Sequence, residues 1–272
     1  MTQEAELIKV APAPNGLPQT LPTKPERRLP SSDISISEAV VEDLPRIVEG
    51  LYASWPPQSW EKNEPLALRP PTEAIRHERF VRRLRPSFRY PRIRWIVAKH
   101  IPTGEIIGCA AWTAPGNPVH NFFRKTAVDF YGWRDQYNCS DEEFDEVWSG
   151  VNMENWDGGF ARNDDVRKDL LGDEPHWYLV FLYTFPEWQG RGVGKLLLNW
   201  AIDQADATDP VTPMYLESAP SARGVYMHCG FVPQGEHNFL RRGPAIVREL
   251  KAEEGKEDAK AAPVNIEAVG AN

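Results

Sequence analysis

The chain has 272 residues, 41% of them hydrophobic, which supports one sizeable core and suits a single α/β domain. A formal net charge of −8 argues against general affinity for nucleic acid. Three scattered cysteines without a CxxC pair, six histidines without an HExxH-type spacing, and no apolar run near the ~20 residues of a membrane span point to a reducing, cytoplasmic setting with no metal and no membrane.

Residues 1–32 carry six prolines and little apolar periodicity, and read as a disordered leader without the apolar centre of a secretory signal. "ISISEA" (34–39) alternates like a short strand. "EDLPRIVEGLYASW" (42–55) follows with Leu44, Ile47, Val48 and Leu51 at helical spacing, and Pro45 suits a first turn. "TEAIRHERFVRRLR" (72–85) repeats that pattern through Ile75, Phe80 and Leu84. "RIRWIVAKH" (92–100), "PTGE" and "IIGCAAW" (106–112) read as a hairpin. Residues 115–174 are rich in aromatics at loosely helical spacing. "HWYLVFLYTF" (176–185) is a buried strand by length and bulk, and a helix is predicted from about 191 to 206 with Val193, Leu196, Leu197, Trp200 and Ala201 on its apolar side. "PMYLES" (213–218) is a further strand, "SARGVYMHC" (221–229) a short helix, and the strands close with "GFVPQG" and "HNFLRRGPAIVREL". Residues 251–272 read as a polar tail, which leaves 33–250 as the globular part.

Between strand and helix lies "PEWQGRGVGKLLLNW" (186–200), with Gly190, Gly192 and Gly194 where a helix begins. Glycine costs a helix about 1 kcal/mol relative to alanine, so three of them need a reason. The first N–H groups of a helix lack internal partners, the macrodipole adds positive charge there, and a backbone without Cβ lets an anion come close. Three phosphate loops compete. The P-loop GxxxxGK[ST] fails on spacing and puts Leu196 where a hydroxyl belongs. The dinucleotide fingerprint GxGxxG fails at Lys195 and expects its loop after a first strand.

What remains is Q-x-x-G-x-G, as Gln189, Gly192 and Gly194. It resembles the acyl-CoA loop of the Gcn5-related N-acetyltransferases (GNAT superfamily). "LYTFPEWQGRGVGKLLL" looks like that family's central strand, loop and helix. "LESAPSARGVYMHCGF" is similar to its next strand, helix and Tyr-x-x-x-Gly-Phe ending, through Tyr226, Gly230 and Phe231, and "EIIGCAAW" resembles its third strand. The chain departs from the family at Ala222, where glycine or asparagine is frequent, and at Thr184, where valine is. The resemblance implies an α/β fold with a mixed, mostly antiparallel central sheet flanked by helices, here with a long insertion (about 115–174) between the third and central strands. It implies acetyl-CoA as co-substrate, its diphosphate on the backbone of Gln189, Gly190, Arg191, Gly192, Val193, Gly194 and Lys195, and its thioester polarised by backbone near Leu182, Tyr183 and Thr184. Tyr226 takes the place of the family's acid. Glu217 is the first choice of base and His176 the second, with a water relay as the alternative to either. Cys229 beside His228 makes no dyad, because neighbouring helical side chains diverge by about 100°.

The acceptor side is marked by charge. Residues 135–174 hold thirteen Asp/Glu against three Lys/Arg, whereas 69–99 hold ten Lys/Arg against two Glu. One reading is an acidic, aromatic pocket for a small cationic or aromatic amine. The other is an acidic helix pair docked on the basic helix. The leading function is transfer of an acetyl group to a primary amine of a small molecule by direct attack. A protein or peptide N-acetyltransferase and a non-catalytic acyl-CoA-binding module are the alternatives.

Overall fold

The structure is a computed structural model that describes residues 5–13 and 19–254; the rest of the expected tail, and residues 1–4 and 14–18 of the expected leader, lie outside the described residues. The chain divides into two compact units, Thr23–Glu217 and Met1–Pro22 with Ser218–Asn272, so the span expected as one globular part (33–250) is divided after Glu217. In chain order the strand β1 (Glu6–Val10) is followed by β2 (Ile34–Glu38) and three helices, α1 (Leu44–Ser54), α2 (Pro57–Asn63) and α3 (Glu73–Leu84). Then come β3 (Ile93–His100), β4 (Glu105–Thr113), the helices α4 (Ala127–Phe130), α5 (Asp141–Trp148) and α6 (Met153–Leu171), and β5 (Trp177–Thr184). The chain continues through α7 (Val193–Asp206), β6 (Met214–Glu217), α8 (Arg223–Met227), β7 (Val232–Pro233), β8 (Asn238–Arg241) and β9 (Ala245–Glu249).

In the unit Thr23–Glu217 the strands run β2-β3-β4-β5-β6. The first three pairings are antiparallel and the last, β5 with β6, is parallel. Strand alternation gives β5 two faces. Tyr183 points to α1, where its hydroxyl donates to the Ile47 carbonyl at 3.0 Å. Leu182 and Thr184 point to α7, where they lie against Gly194. The sheet is therefore covered by α1 on one side and α7 on the other, each by its apolar stripe: Leu44, Ile47, Val48 and Leu51 from α1; Val193, Leu197, Leu198, Ala201 and Ile202 from α7. Leu196, expected on that stripe, is instead 37% exposed, since the buried pair is Leu197 and Leu198 in place of Leu196 and Leu197. Among the described residues no helix is long and apolar enough to cross a membrane.

The connection from β4 to β5 is helical, and several of its aromatics complete the core. Phe122, Phe123, Trp133, Trp148 and Trp156 are all buried and join α1 and α3 in one cluster. The acidic–basic docking reading is met by Arg79 of α3, which pairs with Glu146 of α5 at 2.6 Å and donates to the Ser149 hydroxyl. Helix α3 also buries charge that its pattern does not announce. Arg76 and Arg83 both pair with Glu64, at 2.6 and 2.8 Å, among Tyr52, Trp60 and Phe80.

In the second unit β1 pairs parallel with β9, from Glu6 opposite Ala245 to Val10 opposite Glu249. This corrects the expectation of a disordered leader for residues 6–10. The partner that satisfies this strand's backbone lies more than 230 residues away in sequence, and local composition does not reveal it. Strands β7 and β8 pair antiparallel, and Tyr226, Met227, Phe231, Phe239 and Val247 are buried.

Gly108 of β4 sits opposite Thr184, where a Cβ would lie 2.9 Å from the Tyr183 carbonyl oxygen and 3.2 Å from Leu197 and Val193. Backbone cannot yield as a side-chain tip can. Gly108→Ala is therefore expected to lower stability by about 1–3 kcal/mol and the midpoint of thermal unfolding by several degrees, as read by calorimetry.

Candidate active site

The site starts from an irregularity in β5. Its register against β4 runs Ala111–Phe181 and then Trp112–Leu179, so Val180 has no opposite number and bulges. On the other side β5 pairs with β6 only from Trp177–Met214 to Leu179–Leu216. The two parallel strands thus part at the bulge. Phe185 N–H donates to Ile107 of β4, so by alternation the main-chain groups of Leu182 and Thr184 lie on the edge turned away from β4. The Thr184 carbonyl is taken by the Gln189 side chain at 3.1 Å, which folds the loop back onto the strand it leaves. The Leu182 groups face the gap between the strands.

Pro186–Trp188 form a 3₁₀ turn, and Gly190 and Gly192 then take φ of 68° and 86°. Gly192 caps α7 without a capping side chain, so the first amides of that helix are left to an outside partner. Arg191 and Lys195 are exposed; the Arg191 guanidinium lies 5.0 Å from the Trp188 ring. Val193 is buried and contributes only backbone to this end. The Tyr183 side chain is turned to α1 and its main-chain groups face β4 opposite Cys109, so the expected backbone contact of Tyr183 with the thioester is not brought to the open edge. The predicted loop residues are therefore brought together around one helix start.

At the end of β6, beside the bulge, stands Glu217. Burial pushes its carboxyl up to about 7, against the opposing pull of Arg167 and of a hydrogen bond from Tyr178. The Tyr178 hydroxyl donates to Oε2 at 2.9 Å, Tyr215 is a second hydrogen-bond partner of the carboxyl, and Oε1 is buried. Tyr178 is itself held. Its hydroxyl accepts from Asn121 Nδ2 at 3.0 Å, and the Asn121 amide is oriented by the Phe123 N–H on its Oδ1 at 2.9 Å. The Arg167 guanidinium lies 3.7 Å from the Tyr178 ring centre and pairs with Asp164 at 3.0 Å; Asp164 also accepts the Asn121 N–H and Arg124. Asn121, Asp164 and Arg167 are 0%, 5% and 1% exposed. This buried chain is absent from the sequence-based expectation. Its members come from a loop, from α6 and from β5, and no local spacing links them.

His176 is separate from this chain. Its Nδ1 donates to the Glu174 carbonyl at 2.7 Å, and burial lowers its pKa, so the ring is neutral and anchored to the turn ahead of β5. In the other unit Tyr226 is buried between Phe231 and Phe239, with its phenol pKa raised by burial. His228 Nδ1 bonds the Gly224 carbonyl at 2.6 Å. Among the described residues no group of three or more His, Cys, Asp or Glu is placed to hold a metal ion.

A model of the acetyltransferase (GNAT) family matches residues 59–231. The chain belongs to that family. It is an N-acetyltransferase with a mixed α/β fold, in which a mostly antiparallel sheet is flanked by helices. Among solved structures it is similar to a histone acetyltransferase HPA2 and related acetyltransferase from Corynebacterium glutamicum, at 22% identity over 78% of this chain and 97% of that one, with a TM-score of 0.46. A dodecameric spermidine N-acetyltransferase from Vibrio cholerae is 14% identical over 77% of this chain and 94% of that one, with a TM-score of 0.42. A GNAT family acetyltransferase from Brucella melitensis in complex with acetyl-CoA is 15% identical over 78% and 90%, with a TM-score of 0.37. No curated protein matches the chain in sequence.

The Tyr178 hydrogen bond favours the charged form of Glu217, so its loss raises the carboxyl pKa. Tyr178→Phe is expected to move the Glu217 titration above its value of about 7, by about one to two pH units, the size of a charge-assisted hydrogen bond. Carboxyl carbon NMR on the glutamate-labelled protein reads the shift directly.

Proposed function

We propose that the protein transfers the acetyl group of acetyl-CoA to a primary amine of a small molecule by direct attack. The observation that carries the reading is Glu217: a half-buried residue whose carboxyl, beside Tyr178 and Tyr215, has a pKa of about 7 and stands at the point where β5 and β6 part. A general base works best when its pKa lies near the operating pH. An amine acceptor arrives as an ammonium ion, and losing that proton is the demand such a base meets.

The thioester supplies an acyl group that needs no further activation by metal or redox chemistry. The remaining roles fall to the chain. The diphosphate is assigned to the amides of Gly190 to Lys195, where positive φ at two glycines and the uncapped start of α7 suit an anion. The pantetheine arm is assigned to the open edge of β5, and the Leu182 backbone to the acetyl carbonyl, whose oxygen gains negative charge in the transition state. Glu217 accepts the ammonium proton on its carboxylate. Tyr178, Asn121 and the Asp164–Arg167 pair keep that carboxylate oriented and charged. Tyr226, in the Tyr-x-x-x-Gly-Phe run, is assigned to protonate the leaving thiolate, and its raised pKa keeps it protonated at neutral pH as an acid must be. His176 is the weaker base candidate, because its ring is tied to the Glu174 carbonyl. The acidic residues of α5 and α6 favour cationic acceptors, while Trp133, Trp148 and Trp156 are committed to the core.

The test is calorimetry with acetyl-CoA followed by thiol release across amines and peptides. Binding with release on small amines supports the reading; release with peptides alone, or binding with no release, overturns it. Glu217→Gln is expected to lower kcat/KM about 10²–10⁴-fold, the usual worth of general base catalysis. In the wild type kcat/KM should rise with pH through about 7, because Glu217 must lose its own proton before it can take one. Unchanged turnover of Tyr226→Phe at saturating substrate removes the phenol from the mechanism.

A further inference from the structure

A second set of cations lies on the glycine loop, contributed from far upstream. The segment from Thr23 to Leu29, "TKPERRL", crosses it. The Leu29 N–H donates to the Arg191 carbonyl at 3.1 Å. Arg27 and Arg28 N–H groups close a 3₁₀ turn on Lys24 and Pro25, at 3.0 and 3.1 Å. The segment is therefore held by its own turn and by the loop it crosses. A Cβ on Gly192 would meet the Arg28 stem at 3.3 Å, and one on Gly190 would meet Arg27 Nη2 at 3.0 Å. The two glycines thus admit the two arginines as well as exposing their own amides.

The two side chains differ in what they can do. Arg28 Nε donates to the Thr23 carbonyl at 3.0 Å, so its head is turned back on its own segment. The Arg27 guanidinium rests on Gly190 and pairs with no acceptor among the described residues. Nor does any carboxylate there pair with Arg28, Arg191 or Lys195, although Glu26 and Glu187 are close in sequence and exposed. Arg27 and Arg28 thus lie on the loop that carries Arg191, just ahead of Lys195 in α7, and none of the four forms an ion pair among the described residues. A strongly anionic group arriving there meets several cations.

We propose that Arg27 is a phosphate-binding residue of the acyl-CoA site, delivered by the Thr23–Leu29 segment to the diphosphate held by Gly190 to Lys195. This rests on the acetyl-CoA reading above and adds a ligand that the loop motif does not contain. A guanidinium fork matches two phosphate oxygens at once, which an ammonium cannot do. The contact belongs to ground-state binding of the donor, so it acts on affinity and not on the chemical step.

The experiment measures acetyl-CoA binding by calorimetry, and KM and kcat with the same amine, for wild type, Arg27→Ala and Arg27→Lys. Arg27 is exposed, so the variants are expected to unfold at the wild-type temperature. Arg27→Ala should weaken binding and raise the KM for acetyl-CoA roughly 10- to 100-fold with kcat unchanged, the scale of one charge-assisted contact. Arg27→Lys should recover part of the loss. Acetyl-CoA lacking its 3′-phosphate should show the same penalty, because the contact is to the diphosphate. An unchanged affinity in Arg27→Ala overturns the proposal, and so does a tightened one, which would make the segment an obstruction. A penalty that vanishes with the 3′-dephospho donor also overturns it. If wild type itself binds no acetyl-CoA, it is the underlying reading that fails.

Discussion

The structure turns on one register fault. Val180 has no opposite residue in β4, and immediately beyond it β5 and β6 stop pairing. A continuous parallel pair would satisfy the main-chain groups of β5 on both sides. The bulge releases them on one side only, over the residues that lead into the glycine loop. Unpaired backbone groups carry a cost of order 1–3 kcal/mol each when hidden from water. A strand that keeps them unpaired next to an uncapped helix start is suited to an extended, anionic ligand that bonds like a strand and ends in phosphate. The same fault places Glu217 at the last residue of β6, one step past the final pair.

Glu217 is tuned by opposing effects whose order can be stated. Burial disfavours the charged carboxylate most strongly; Arg167 and the Tyr178 hydroxyl pull the other way. Burial alone would leave a carboxylic acid protonated at neutral pH, unable to accept a proton. A fully paired carboxylate would be too weak a base. The balance near 7 depends on Asp164, which holds Arg167 by a 3.0 Å ion pair and so fixes the distance from which that cation acts. Removing one member of such a buried group leaves another uncompensated, typically at about 3–5 kcal/mol.

The loop and the strand–helix order were legible because glycines at a helix start have a local, single-residue cost that only an unusual backbone or a close ligand repays. Helix α1 was legible from its period, the central strand from its length and bulk, and the hairpin from two β-rich runs around a turn. Leu196 was not, since a helix with apolar residues at three successive positions can bury either side of the stripe. Gly108 gives no signal, as its need comes from the Tyr183 carbonyl across the sheet. Asn121, Asp164 and Arg167 read as ordinary polar residues of a loop and an acidic helix. Arg27 lay in a proline-rich stretch whose composition resembles disorder, and only its hydrogen-bonded neighbour Leu29 ties it to residue 191.

In the long β4–β5 connection, several aromatics serve the core. Its aromatics are frequent enough for a ligand cage, but Trp148 and Trp156 pack around Arg83, and Phe123 stacks on Phe181 of β5. Those contacts give α6 a fixed seat on the sheet. Helix α6 then carries Asp164 and Arg167 to Tyr178, and through it to Glu217. The apolar half of the connection thus positions that polar chain indirectly. It holds a short polar chain in a rigid, water-poor setting where a hydrogen bond of 2.9 Å can decide the protonation of a carboxyl.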